Sequence, residues 1–98
     1  MTIAKELNGA DLKISLEGRL DTMTAPELEA ELNKSMAGAE SLTLDFSKLD
    51  YISSAGLRVL LSAHKVMSAK GGMKVTNVNE IVREVFEVTG FADILTIE

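Results

Sequence analysis

Leu42–Lys65 reads LTLDFSKLDYISSAGLRVLLSAHK, and a change of hydrophobic period inside it decides the fold class. Leu42, Leu44 and Phe46 alternate with Thr43 and Asp45, the two-residue period of a strand with one buried face. From about Ser54 the period lengthens. Gly56, Leu60, Ala63 and Met67 fall in one row with Val59 and Val66 beside it, while Arg58, Ser62 and Lys65 make the wet side of a helix. The polar segment between the two patterns, Ser47 to Ser54, reads as a loop.

Reading outward repeats this unit. On the C-terminal side Gly71-Gly72 ends the helix, Met73 to Val78 reads as the next strand, and Asn79 can cap a helix carrying Ile81, Val82, Val85 and Phe86. Gly90 suits a C′ position, which would set Phe91 against Phe86 as in a Schellman ending, and Leu95 to Ile97 forms a last strand. On the N-terminal side Leu12, Ile14 and Leu16 alternate with Lys13, Ser15 and Glu17. Thr2 to Leu7 can pair with that strand through an Asn8-Gly9 hairpin turn. Thr24 and Glu27 stand at capping-box spacing with Pro26 in the first turn, opening a helix whose core stripe is Ala25, Leu28, Leu32 and Met36, with Gly38 as its stop. Strands joined by helices imply parallel crossovers. The expected class is α/β, a mixed β-sheet with helices packed mainly on one face, because the alternate strand residues are polar. All 98 residues are read as a single domain (1–98).

Composition removes several chemistries. There is no Cys and only one His, which excludes a thiolate zinc site, a cysteine nucleophile and a polyhistidine metal site. The net charge of −5 repels phosphate backbones and anionic lipid, so nucleic acid is not an expected partner. Met1–Gly9, MTIAKELNG, lacks the basic start and apolar middle of a secretory signal, and no apolar run approaches membrane-spanning length. A cytoplasmic location without membrane contact is expected.

In open α/β sheets binding sites gather where strand carboxyl ends meet helix N-termini. Three loops qualify: Gly18 to Thr24 with Asp21 and Thr22, Ser47 to Ser54 with Asp50, Tyr51, Ser53 and Ser54, and Asn77 to Asn79. Met23 lies in the first loop and is a candidate exposed contact. Each has an ordinary structural role as well. Ser53 or Ser54 would cap a helix in any protein, and Asp21 would order its own turn. A hydrolase is excluded, because His64 stands ten positions beyond Ser54, about 15 Å along one helix, and no G-x-S-x-G elbow is present. Gly71-Gly72 lacks the Lys-Ser/Thr sequel of a phosphate-binding loop.

The run Leu42–Lys65, together with GRLDTMTAPEL before it and VREVFEVTGF near the end, closely resembles STAS domains of the anti-sigma factor antagonist type. The resemblance covers essentially the whole chain. It implies a phosphorylated serine at Ser54, followed at two residues by Gly56, and a loop aspartate at Asp21. Some members carry an acidic residue where this chain has Ser53, which leaves Ser53 as a rival acceptor. The implied function is a partner switch in which the unphosphorylated protein binds an anti-sigma factor that is also a serine kinase, freeing a sigma factor. Phosphorylation reverses the binding and a serine phosphatase restores it. The resemblance implies no catalysis and no cofactor in this chain. The competing expectation is a STAS subunit of another assembly: a lipid-transport complex, a signalling scaffold or a small-ligand binder.

Overall fold

Five strands form one mixed sheet in the order β1-β2-β3-β4-β5, and the computed structural model describes residues Met1–Glu98. β1 (Thr2–Asn8) and β2 (Asp11–Leu20) pair antiparallel, whereas β2–β3, β3–β4 and β4–β5 are parallel. The remaining strands are β3 (Ser41–Ile52), β4 (Met73–Thr76) and β5 (Thr96–Ile97), and the helices are α1 (Ala25–Ser35), α2 (Ser54–Ser68) and α3 (Glu80–Thr89). Short 3₁₀ turns follow α1 at Met36–Gly38 and α3 at Phe91–Asp93. The opening hairpin turns one residue later than the sequence suggested. Asn8 pairs with Asp11, and Gly9 alone takes positive φ (64°), as a II′ turn requires at its first central position.

The alternation sorts the sheet faces as expected. Leu12, Ile14, Leu16, Leu42, Leu44, Phe46, Met73 and Val75 are buried beneath the helices, joining Leu28, Leu32, Leu60, Met67, Val82 and Phe86 in one core cluster of 24 residues. Lys13, Glu17 and Lys74 stand exposed on the opposite face. Leu57 joins the core although the helical row omitted it, whereas Val66 is exposed.

The main correction concerns β3, which runs to Ile52, so that Ser47–Ile52 is strand and not loop. Two register shifts explain why the alternation missed it. Ser15 faces Asp45 but Glu17 faces Lys48, and Gly18 faces Leu49 but Arg19 faces Tyr51, so β3 holds one extra residue at each shift. Its buried positions after Phe46 are therefore Leu49 and Ile52, spaced three apart. β2 likewise continues to Leu20, and the first loop shortens to Asp21–Thr24. β4 and β5 are each shorter than read.

The helix ends follow local chemistry. The Asn79 side chain accepts from the Val82 N–H at 2.8 Å and caps α3, and Gly90 ends α3 in the left-handed region (φ 83°). The Gly90 N–H bonds the Glu87 carbonyl at 3.3 Å, the inner bond of the expected Schellman ending, and the Phe86 ring pairs with Phe46 at 6.4 Å between centroids. At the exit of α2 the space beside Gly71 is closed, because an added Cβ would lie 2.5 Å from the Glu40 carbonyl oxygen.

Candidate functional site

The parallel pair β2–β3 brings two chain exits together. Leu20 pairs with Ile52, and the next backbone bond, Ser53 N–H to the Leu20 carbonyl at 2.9 Å, ties the start of α2 to the end of β2. Asp21 and Ser54 therefore leave the sheet from adjacent strands at the same end. Asn77–Asn79 does not join them. Asn77 (φ 58°) donates to Asp45 at 3.0 Å and Asn79 donates to the Leu49 carbonyl at 2.8 Å, so that loop is fastened three residues short of Ile52.

Gly56 sets the height of α2 over this edge. A Cβ there would meet Leu20 Cγ at 2.7 Å and Ile52 Cγ1 at 2.9 Å, so only glycine lets the first helical turn rest on both strand ends. Ser53 occupies the N-cap position with extended backbone, and its carbonyl accepts the Leu57 N–H at 3.0 Å. Its Oγ is buried and bonded to nothing, so it does not cap through its side chain. Ser54 is the first helical residue and is exposed. The two serines are thus distinguished by access: one hydroxyl points inward and the other faces water.

Asp21 is built into its loop. Its Oδ1 accepts the Met23 N–H at 3.0 Å and the Thr24 N–H at 3.2 Å, an Asx turn extended by one residue. Thr24 does not form the expected capping box with Glu27. Its hydroxyl accepts the Asp21 N–H and donates to the Arg19 carbonyl, each at 2.8 Å, which knots the loop. Partial burial acts to raise the Asp21 pKa, but N–H groups of Thr24 and Met23, the Thr24 hydroxyl and the Arg19 guanidinium hold it below its ordinary value of 3.8. Arg19 lies 3.7 Å from Asp21 and 4.5 Å above the Tyr51 ring, a cross-strand contact that only the shifted register makes visible. Thr22 is exposed, and Met23, at 83% exposure, projects as the most open large apolar side chain of the chain.

Between the first turns of α1 and α2 lies an open cleft of about 210 Å³ lined by Thr22, Pro26, Glu29, Ala55, Arg58 and Val59. Thr22 comes from the Asp21 loop and Ala55 directly follows Ser54, so the cleft joins the two sides of the candidate site. The helical period places Arg58 only on a wet face, and its spacing of four from Ser54 is the one sequence signal that ties it to the site. The lone His64 lies down the helix, its Nε2 3.5 Å from the Ser68 hydroxyl, which itself donates to the His64 carbonyl.

The family model for STAS domains, described as "Mlab, STAS domain", matches residues 3–96. The chain belongs to the STAS domain family. This STAS domain is 42% identical over 84 residues to BtrV of Bordetella bronchiseptica, named as an anti-sigma factor antagonist, covering 84% of this chain and 72% of that protein. An anti-sigma factor antagonist from Mycobacterium paratuberculosis superposes with a TM-score of 0.89 at 24% identity, covering 98% of this chain and 83% of the other. Bacillus SpoIIAA in its unphosphorylated form gives a TM-score of 0.78 at 19% identity, covering 99% and 87% of the two chains. Its phosphorylated form gives 0.76 at 19%, covering 99% and 91%. These structures share the STAS fold with this chain.

Proposed function

We propose that this STAS domain is an anti-sigma factor antagonist whose unmodified form binds an anti-sigma factor with serine kinase activity and is released by phosphorylation at Ser54. The observation that carries the choice of residue is the contrast in access between the exposed Ser54 and the buried Ser53 hydroxyl. The names of BtrV and of the mycobacterial neighbour support the functional class. The partner surface comprises Asp21, Thr22, Met23, Ser53, Ser54 and Gly56, in which Thr22, Met23 and Ser54 make contact while Asp21, Ser53 and Gly56 hold them in place. A serine phosphatase restores the unmodified form, and the chain is the substrate of both enzymes.

A phosphate at the first helical position is tolerated by the fold, because α2 presents unpaired N–H groups and the positive end of its dipole there. The penalty falls on the complex, where a thousandfold loss of affinity corresponds to about 4 kcal/mol. Co-purification from the native cell, followed by identification of the bound protein and of the phosphorylated residue, tests the reading. An anti-sigma kinase should be recovered with the unmodified chain, and phosphate should map to Ser54. Ser54→Ala should bind and resist release by ATP, and Ser54→Glu should bind more weakly than wild type but better than the phosphoprotein. Phosphate confined to Ser53 would remove Ser54 from the role, and recovery of a transport ATPase would favour membership of a different assembly.

A further inference from the structure

α2 differs in charge from its neighbours. It contains no Asp or Glu and carries Arg58 and Lys65, in a chain of net charge −5. α1 holds Glu27, Glu29 and Glu31 against Lys34, and α3 holds Glu80, Glu84 and Glu87 against Arg83. Arg58 follows Ser54 by four positions, so the two side chains are neighbours one turn apart, and both are exposed. Arg58 takes part in none of the ion pairs, which are Lys5–Glu31, Lys13–Asp45, Arg19–Asp21 and Lys74–Glu98. Glu29 lines the same cleft without pairing with it.

We propose that Arg58 is the internal partner of a phosphate on Ser54, an inference that rests on the reading of Ser54 as the modified residue. An anion four residues N-terminal to a cation is the favoured helical orientation. The planar guanidinium matches phosphate oxygens in a two-point contact that lysine cannot form. In the unmodified protein Arg58 lines the α1–α2 cleft and is free to meet a carboxylate of the partner. Phosphorylation then acts twice: it adds an anion at the helix start, and it draws the cation out of the cleft.

The test uses protein carrying phosphoserine installed at position 54 during synthesis, so that no kinase is needed. The phosphate is titrated by ³¹P NMR in otherwise wild-type protein and in the Arg58→Gln, Arg58→Lys and Lys65→Gln backgrounds, with a thermal melt confirming that each is folded. The second ionisation should be about threefold stronger with Arg58 than with Gln, lie between the two with Lys, and be unchanged by Lys65→Gln. Superimposable curves for wild type and Arg58→Gln would overturn the proposal. So would an equal effect of Lys65→Gln, which would mark a general field of the helix. Failure of a kinase to label Ser54 would count against the regulatory reading alone, and coincident titration curves against Arg58 alone.

Discussion

The two chain exits that meet at the end of β2 and β3 use their polar side chains in opposite ways. In Asp21–Thr24 the carboxylate and the threonine hydroxyl are both consumed by the loop's own backbone. At Ser53–Ser54 one hydroxyl is buried without a partner and the other stands in water. One exit is a rigid presenter, holding Thr22 and Met23 outward on a knotted turn. The other keeps a reactive group uncommitted on a rigid helix. Substitutions in the first should therefore change shape and stability, and substitutions in the second should change charge and chemistry with little effect on folding.

Gly56 belongs to both exits, and its replacement should have the largest effect. Ala at this position forces a methyl group against Leu20 and Ile52, both buried, so the first turn of α2 must lift from the strand ends. Gly56→Ala should destabilise by about 1–3 kcal/mol, read as a lower melting temperature, and should shift the amide resonances of both exits together. A shift confined to the Ser54 side would show that the two exits are not coupled through this glycine.

Thr24→Val comes next, since it keeps the shape and removes the hydroxyl that bonds the Asp21 N–H and the Arg19 carbonyl. A loss of about 1–2 kcal/mol is expected. Met23 and Thr22 should gain backbone mobility while α2 is unaffected. Asp21 adds a pH dependence of definite sign. Its folded pKa is depressed, so its contribution is fully present above the ordinary value of 3.8 and is lost as pH falls through the lower folded value. Asp21→Asn keeps an acceptor for the turn but does not titrate, so its melting temperature should fall less steeply than that of wild type between about pH 5 and pH 2. Equal slopes would mean that the carboxylate charge does not hold this loop.

The contrast between the exits was only partly legible in the sequence. Regular periods announced β2, the first half of β3, and all three helices, because there each residue's face follows from counting. Counting failed where β3 takes in extra residues: Leu49 and Ile52 fall out of the two-residue period, so a strand that carries Ser53 to the edge read as a loop. Thr24 and Glu27 matched a capping box by spacing, yet a side chain with two available sets of backbone partners chose the loop, and spacing does not report that choice. The strand-end rule alone collects Asp21, Thr22, Ser53 and Ser54 at one sheet edge, and the family resemblance adds Gly56 and the roles of Asp21 and Ser54. Their division into structural and exposed members required coordinates. Arg19 over Tyr51 was invisible until the shifted register placed them opposite one another.

The smallest expected effect is also the sharpest test of the difference between the two serines. If Ser53 capped α2 through its hydroxyl, Ser53→Ala would cost about 1 kcal/mol. With its Oγ buried and unbonded, removing the hydroxyl instead relieves an unsatisfied polar group, so Ser53→Ala should be neutral or stabilising by up to about 1 kcal/mol. Ser54→Ala removes a hydroxyl already in water and should stay within about 0.5 kcal/mol of wild type. Stability alone will barely separate the two variants, but phosphate incorporation should separate them completely, with Ser53→Ala labelled as well as wild type and Ser54→Ala unlabelled. A measurable loss of stability in Ser53→Ala would mean that its hydroxyl turns outward to cap the helix. The buried-versus-exposed distinction that favours Ser54 as the acceptor would then be lost.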